Sequence, residues 1–240
     1  MTNRHNSNHT PKHIGIAACS AEGAALCYRT ICQEAQAVMG KHAHPQISLH
    51  NHCLESYMYQ LEGKGGWSGV AELMLDSAER LKKSGADFVI CPDNTIHQCF
   101  DLVQKRSPLK WLHIAQIVGV EAKANHFTKL GILGTGYLMD GPVYPLELAK
   151  LDIAFETPDE TDKREINRII FDELVSGVFL DQSRIYIQDV ISALRRRGCD
   201  GVILGCTELP LIIEQQDSVL PLLDSTRLLA RKALRYSFSK

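Results

Sequence analysis

The chain lacks most of the features that would place it at once. No run of residues approaches the roughly 18 apolar positions of a membrane span. Neither sign of charge dominates: 26 Lys+Arg stand against 28 Asp+Glu, a formal net charge of -2. Neither nucleic acid nor a membrane surface is therefore an implied partner. Met1 to Lys12 is polar, rich in Asn and His, and lacks the apolar core of a signal peptide, so it is expected to be a flexible tail. There is no Walker loop and no GxGxxG. The eight cysteines form no CxxC and no framework spacing, which favours reduced thiols and a cytoplasmic location. The pairs His42/His44 and His50/His52 have the alternation by which a strand aims two imidazoles to one face, but no third ligand is evident at a plausible spacing. No lysine has a recognisable Schiff-base setting. Neither a metal nor another cofactor is expected.

What the chain does contain is a repeat. Residues 84–95 read SGADFVICPDNT and residues 197–208 read RGCDGVILGCTE. Gly85 matches Gly198, Asp87 matches Asp200, and Val89-Ile90 match Val202-Ile203; Asp93 then stands opposite Cys206, Asn94 opposite Thr207 and Thr95 opposite Glu208. His13-Ile14-Gly15-Ile16 against Lys129-Leu130-Gly131-Ile132 fits nearly the same offset. A spacing of about 113–116 residues is too long for a solenoid and suits a duplicated small α/β domain. In each copy a short apolar strand ends in small and polar residues. Ligands of parallel α/β sheets bind just beyond the carboxyl ends of strands, so two facing ends would make one cleft with Asp93 on one wall and Cys206 on the other.

Strands and helices alternate along the chain, as in a parallel sheet covered on both faces. Strands are predicted at Ile14–Ala18, Gln46–Leu49, Phe88–Cys91, Trp111–Ile114, Leu130–Leu133, Ile153–Phe155 and, as the last core strand, Val202–Leu204. Helices are predicted at Ala24–Met39, Val70–Lys83, from 115 to about Ala124, Tyr144–Leu151, Asp162–Ser176 and Ser183–Arg197, with a C-terminal helix capped by Asp224-Ser225. Gly85 closes the second of these, and Gly63 to Gly69 reads as a flexible loop. The domains implied are 13–115 together with 221–240, and 116–220, after a tail at 1–12.

Few residues suggest chemistry. A free Cys is most often a small buried hydrophobe, but Cys206 precedes Thr207-Glu208, too polar for a continuing core. A helix starting near Thr207 would place Cys206 at a positive helix end, which lowers a thiol's pKa. Asp93 follows Pro92 in a tight turn, where it can cap a helix, act on a substrate, or both. His97, one turn on, is either a structural contact or a proton carrier. His50 or His52 could contact an anionic substrate at the cleft edge. Ser20 and Thr135 each follow the first strand of their copy, and hydroxyls beside small residues suit a carboxylate. Arg195-Arg196-Arg197 at a helix C-terminus reads as a solvated face.

Pro92-Asp93-Asn94-Thr95-Ile96-His97 resembles the Pro-Cys-Asn-Thr-x-His motif of the aspartate/glutamate racemase superfamily, and Gly205-Cys206-Thr207-Glu208 matches its second motif outright. The resemblance runs from about Ile14 to Asp224-Ser225-Thr226. It implies an isomerase of two similar α/β domains, pseudo-twofold related, with the active site in the cleft between them and no pyridoxal phosphate or metal. It also implies a small acidic substrate and allows a homodimer. In such enzymes one cysteine removes an amino acid's α-proton and another protonates the opposite face. By position the catalytic pair here is Asp93 and Cys206, and the substrate-binding set is Ser20, Asn51, Asn94, Thr95, Thr135, Thr207 and Glu208, with His52 and His97 as further candidates. Two departures matter. Asp93 replaces the first cysteine, and serving in both directions would need a raised pKa. The segment after the second strand, His50-Asn51-His52-Cys53-Leu54-Glu55, lacks the arginine that aspartate racemases tend to carry. One-cysteine relatives include decarboxylases of substituted malonates, so a decarboxylase or isomerase of a small dicarboxylate is the alternative, and a binding protein without turnover is the third.

Overall fold

The computed structural model describes residues 10–63 and 65–239. Residues 1–9 of the expected tail lie outside that range, while the Lys12 N–H donates to the Ser237 carbonyl at 2.8 Å. Two four-stranded sheets carry the fold, and all their pairings are parallel. The first holds β1 (Ile14–Ala18), β2 (Ile47–Asn51), β3 (Phe88–Ile90) and β4 (Lys110–Leu112) in the order β2-β1-β3-β4. The second holds β5 (Lys129–Leu133), β6 (Ala154–Glu156), β7 (Gly201–Leu204) and β8 (Leu222–Asp224) in the order β6-β5-β7-β8. Repeated sequence thus folds as repeated topology. The central strands β1, β3 and β7 are buried throughout, because helices cover both faces. Those helices are α1 (Ala21–Met39), α2 (Leu54–Glu62), α3 (Gly66–Lys83), α4 (Phe100–Gln104), α5 (Ile114–Ala124), α6 (Gly136–Met139), α7 (Val143–Ala149), α8 (Glu160–Arg168), α9 (Asp181–Arg196) and α10 (Ser225–Ser237). No described helix is long and apolar enough to cross a membrane.

The matched Gly and Asp of the repeat have a structural cause. Gly85 and Gly198 follow α3 and α9 with φ of 89° each, a left-handed conformation that closes a helix at no steric cost to glycine. Asp87 then clamps the start of the neighbouring strand: its carboxylate accepts from the His13 N–H at 2.6 Å, and its own N–H donates to the His13 carbonyl at 2.9 Å. Asp200 repeats the clamp, accepting from the Thr128 and Lys129 N–H groups at 2.7 and 3.1 Å and donating to the Lys129 carbonyl.

Several stretches differ from expectation, among them the short helices α4 and α6, which had no predicted element, and Ile114, expected in a strand, which begins α5. Val202–Leu204 is not the last core strand: β8 pairs with β7 at the edge of the second sheet, so 221–240 divides between that strand and α10, which packs on α1 and α5. Residues 54–62, without a predicted element, form α2, and α3 begins inside the expected Gly63–Gly69 loop. The helix expected over Asp162–Ser176 is regular only to Arg168; a π-turn (Ile169–Glu173) and a 3-10 turn (Leu174–Ser176) follow, ending at Gly177 with φ of 72°. The wider turn buries Ile169 and Ile170 side by side and leaves Phe171 and Val175 facing the cleft. Single π-turns within helices are common at functional sites.

Candidate active site

The carboxyl ends of both sheets meet at one cavity. Its wall includes Cys19 and Ser20 after β1, Asp93 and Thr95 after β3, Thr135 after β5, and Cys206 and Glu208 after β7. The central strands of each sheet therefore supply all its polar lining except Tyr57 of α2 and Tyr137 of α6.

Asp93 holds one wall. Its Oδ1 accepts from the Ile96 N–H at 3.1 Å, capping the 3-10 turn Thr95–Cys99, and the Cys19 thiol stands beside the same carboxylate. Burial pushes the Asp93 carboxyl up to about 6; the N–H bonds and the thiol oppose that rise, and the charge of Glu208 adds to it. Capping and an altered proton affinity thus coexist in one side chain. Cys19 was not a sequence candidate: it is 3% exposed, and burial followed by the Asp93 charge keeps its thiol well above the ordinary value. Its run of small residues carried no signal beyond its place at a strand end.

Cys206 holds the other wall, and here the helix-end expectation is corrected. After β7 the chain makes a turn and then only a three-residue 3-10 helix, Leu209–Leu211, so no extended helix points its positive end at the sulfur. The neighbour that matters is Glu208. The Cys206 Sγ donates to Glu208 Oε2 at 2.9 Å, and Thr207 Oγ1 donates to the same oxygen at 2.6 Å. Burial first, then the adjacent carboxylate, hold the Cys206 thiol well above its usual value. At neutral pH one wall therefore presents a carboxylate that is mostly ionised and the other a thiol that keeps its proton.

Two hydroxyl pairs bridge the sheets. Ser20 Oγ lies 3.1 Å from Thr207 Oγ1, and Thr95 Oγ1 lies 3.0 Å from Thr135 Oγ1. Ser20 and Thr135 are also the N-caps of α1 and α6, accepting from the Gly23 and Leu138 N–H groups. Gly23 permits the first bridge: a Cβ there would lie 2.4 Å from the Thr207 side chain.

Other candidates fall elsewhere. Asn94 is buried behind the wall, donating to Ser225 Oγ at 2.9 Å and accepting from the Tyr144 hydroxyl at 2.6 Å, so it ties the β3 loop to the second half of the chain. His97 is buried against Phe100 and His113, with Nδ1 on the Asp93 carbonyl at 2.7 Å; burial pushes its pKa to about 3, which keeps the ring neutral and unsuited to carry protons. Asn51 is exposed at the end of β2; with its amide turned so that the nitrogen faces the neighbouring acceptors, it donates to the Ala18 and His52 carbonyls at 3.0 and 2.7 Å. His50 and His52 are not part of the cavity wall. His50 Nδ1 meets Ser77 Oγ at 3.0 Å, and His52 Nε2 meets Asp76 Oδ2 at 2.9 Å. Asp76 is the third potential metal ligand that spacing could not reveal, since it arrives from α3. Its carboxylate is already engaged by Arg80 Nε at 2.7 Å.

The profile of the Asp/Glu/hydantoin racemase family matches residues 16–233. The chain belongs to that family. Membership of a racemase family makes it an isomerase. A Yersinia pestis structure described as a candidate Asp/Glu racemase is 34% identical, with a TM-score of 0.85 over 95% of this chain and 100% of that one. An aspartate racemase homologue from Pyrococcus horikoshii OT3 is 27% identical, with a TM-score of 0.81 over the same shares. The broad specificity amino-acid racemase RacX of Bacillus subtilis (strain 168) is 22% identical over 164 residues, 67% of this chain and 69% of RacX.

Proposed function

We propose that this racemase moves the α-proton of an amino acid between Asp93 and Cys206 without pyridoxal phosphate. The observation that carries the reading is the opposed pair in one cavity: a carboxylate free to accept a proton and a thiol that retains one. In the forward sense the Asp93 carboxylate takes the Cα proton, and the C–H electron pair delocalises into the substrate carboxyl as an enediolate. The Cys206 S–H then protonates the opposite face. The products are the inverted amino acid, a protonated Asp93 and a Cys206 thiolate. Glu208 makes that thiolate unfavourable, so the resting state is recovered by proton exchange with solvent. Two enantiomers have equal free energy, so kcat/KM must match in the two directions; the unequal pair is free to set kcat and KM apart. Ser20, Thr95 and Thr135 supply three hydroxyls on the wall to hold the α-carboxylate, Thr207 steadies Ser20 and Glu208, and Glu208 can receive the ammonium.

The test is incubation of the purified protein with L- and D-amino acids in deuterium oxide, followed by NMR and chiral chromatography. Deuterium at Cα accompanied by inversion is expected. Cys206→Ser should slow inversion by about 10²-fold or more, the usual worth of a positioned proton donor, while the circular dichroism spectrum stays unchanged. Near-normal inversion in that variant would refute the assignment.

A further inference from the structure

We infer that the substrate carries an apolar side chain rather than the second carboxylate expected from the sequence. This rests on the racemase reading of the same cavity and concerns what else fills it. Away from the hydroxyl pairs the wall is made by Leu54, Met58 and Leu61 of α2 and by Ile170, Phe171 and Val175 of the π-turn and its continuation. The α2 residues recur at i, i+4 and i+7, one face of a helix. The two apolar surfaces form a slot beside the proton carriers.

Charge on the wall points the same way. Among the described residues lining the cavity there is no Lys, Arg or His, and the charged groups are the two acids Asp93 and Glu208. Glu208 is 2% exposed, and its Oε2 is held by a thiol and a hydroxyl. A zwitterion suits this arrangement, its ammonium beside the acids and its carboxylate on the hydroxyls. A dianion would bring a further negative charge into a poorly solvated space that already holds two, where like charges repel more strongly than in water. Lys163 and Arg164 line a separate outer groove that shares Tyr137 with the cavity, and Lys163 is engaged by Asp140 and Glu160.

The experiment compares L-leucine, L-methionine and L-phenylalanine with L-aspartate and L-glutamate at equal concentration. Two readouts are taken on wild-type protein: α-deuterium incorporation in deuterium oxide, and binding by calorimetry. At least a tenfold higher kcat/KM for an apolar substrate is expected, with tighter binding. Aspartate or glutamate exchanging as fast as the apolar acids, or faster, would overturn the inference and leave the racemase reading intact. Tighter binding of leucine than aspartate with no exchange from any substrate would do the reverse. No selective binding of an apolar amino acid overturns the inference. A second variant adds a gain-of-function arm. Met58 is half-buried on α2, and Met58→Arg, which places a cation in the slot, should shift the Asp/Leu ratio of kcat/KM toward aspartate by tenfold or more.

Discussion

Asp93→Asn separates the demands of the fold from those of the reaction. Burial raises the Asp93 carboxyl from its ordinary 3.8 to about 6. The folded protein therefore binds this proton more tightly than the unfolded chain does. The favourable contribution is fully present below the unfolded value and is lost as pH rises through about 6. Near pH 7.5 wild type has lost it; a tenfold difference in proton affinity is worth about 1.4 kcal/mol, so the loss comes to about 3 kcal/mol. The amide cannot ionise and so avoids this cost. It keeps an oxygen for the Ile96 N–H, and Asn caps about as well as Asp. Asp93→Asn should therefore stabilise the protein at pH 7.5 by up to about 3 kcal/mol, or about 6–12 °C in Tm for a chain of this size. The gain should fade toward pH 4, where wild type regains its proton. Inversion should fall by about 10²-fold or more, and in wild type kcat/KM should rise through pH of about 6 as Asp93 ionises. Melting curves of both proteins across pH 4–8, with chiral assays alongside, decide it. A variant less stable than wild type at pH 7.5, or a Tm difference independent of pH, would refute the electrostatic argument. Unchanged inversion would remove Asp93 from the chemistry.

Iodoacetamide near pH 7.5 should label Cys53 before Cys206, because Cys53 is exposed and its bond to Ser56 favours the thiolate, whereas burial and Glu208 suppress the thiolate of Cys206; mass spectrometry showing Cys206 modified first would contradict this. Gly23→Ala should cost about 1–3 kcal/mol, the usual range for overpacking, because its Cβ meets Thr207 at the bridge between the sheets; an unchanged urea midpoint would show that this approach yields freely. Dialysis against EDTA should leave α-proton exchange unaltered, since the His50, His52 and Asp76 cluster stands outside the cavity wall and Asp76 is paired with Arg80; a stoichiometric metal lost together with activity would overturn that expectation.

The parts of this protein legible in its sequence are those set by short stretches of chain. The left-handed turns at Gly85 and Gly198 and the clamps of Asp87 and Asp200 sit next to the apolar strands they serve, so duplication exposes them directly. The same alignment brings Asp93 opposite Cys206, because a ligand wall at a strand end is a local property of each copy. The edge strand β8 was not legible: it has three residues and owes its strand state to pairing with β7.

Tertiary structure alone decided what the matched residues face. Cys206 keeps its proton because the closed cavity buries the sulfur and the chain then turns Glu208 back onto it, where a helix would have favoured the thiolate. Asp93 is raised by walls drawn from both sheets, and its thiol neighbour Cys19 arrives from β1, 74 positions earlier. The apolar slot joins α2 to a π-turn more than a hundred residues later, and His52 meets Asp76 only because α3 packs beside β2. Helix spacing and glycine conformation are written into neighbouring residues. Desolvation, charge and cavity lining are sums over groups distant in the chain, and they take a value only after the two sheets close on one another.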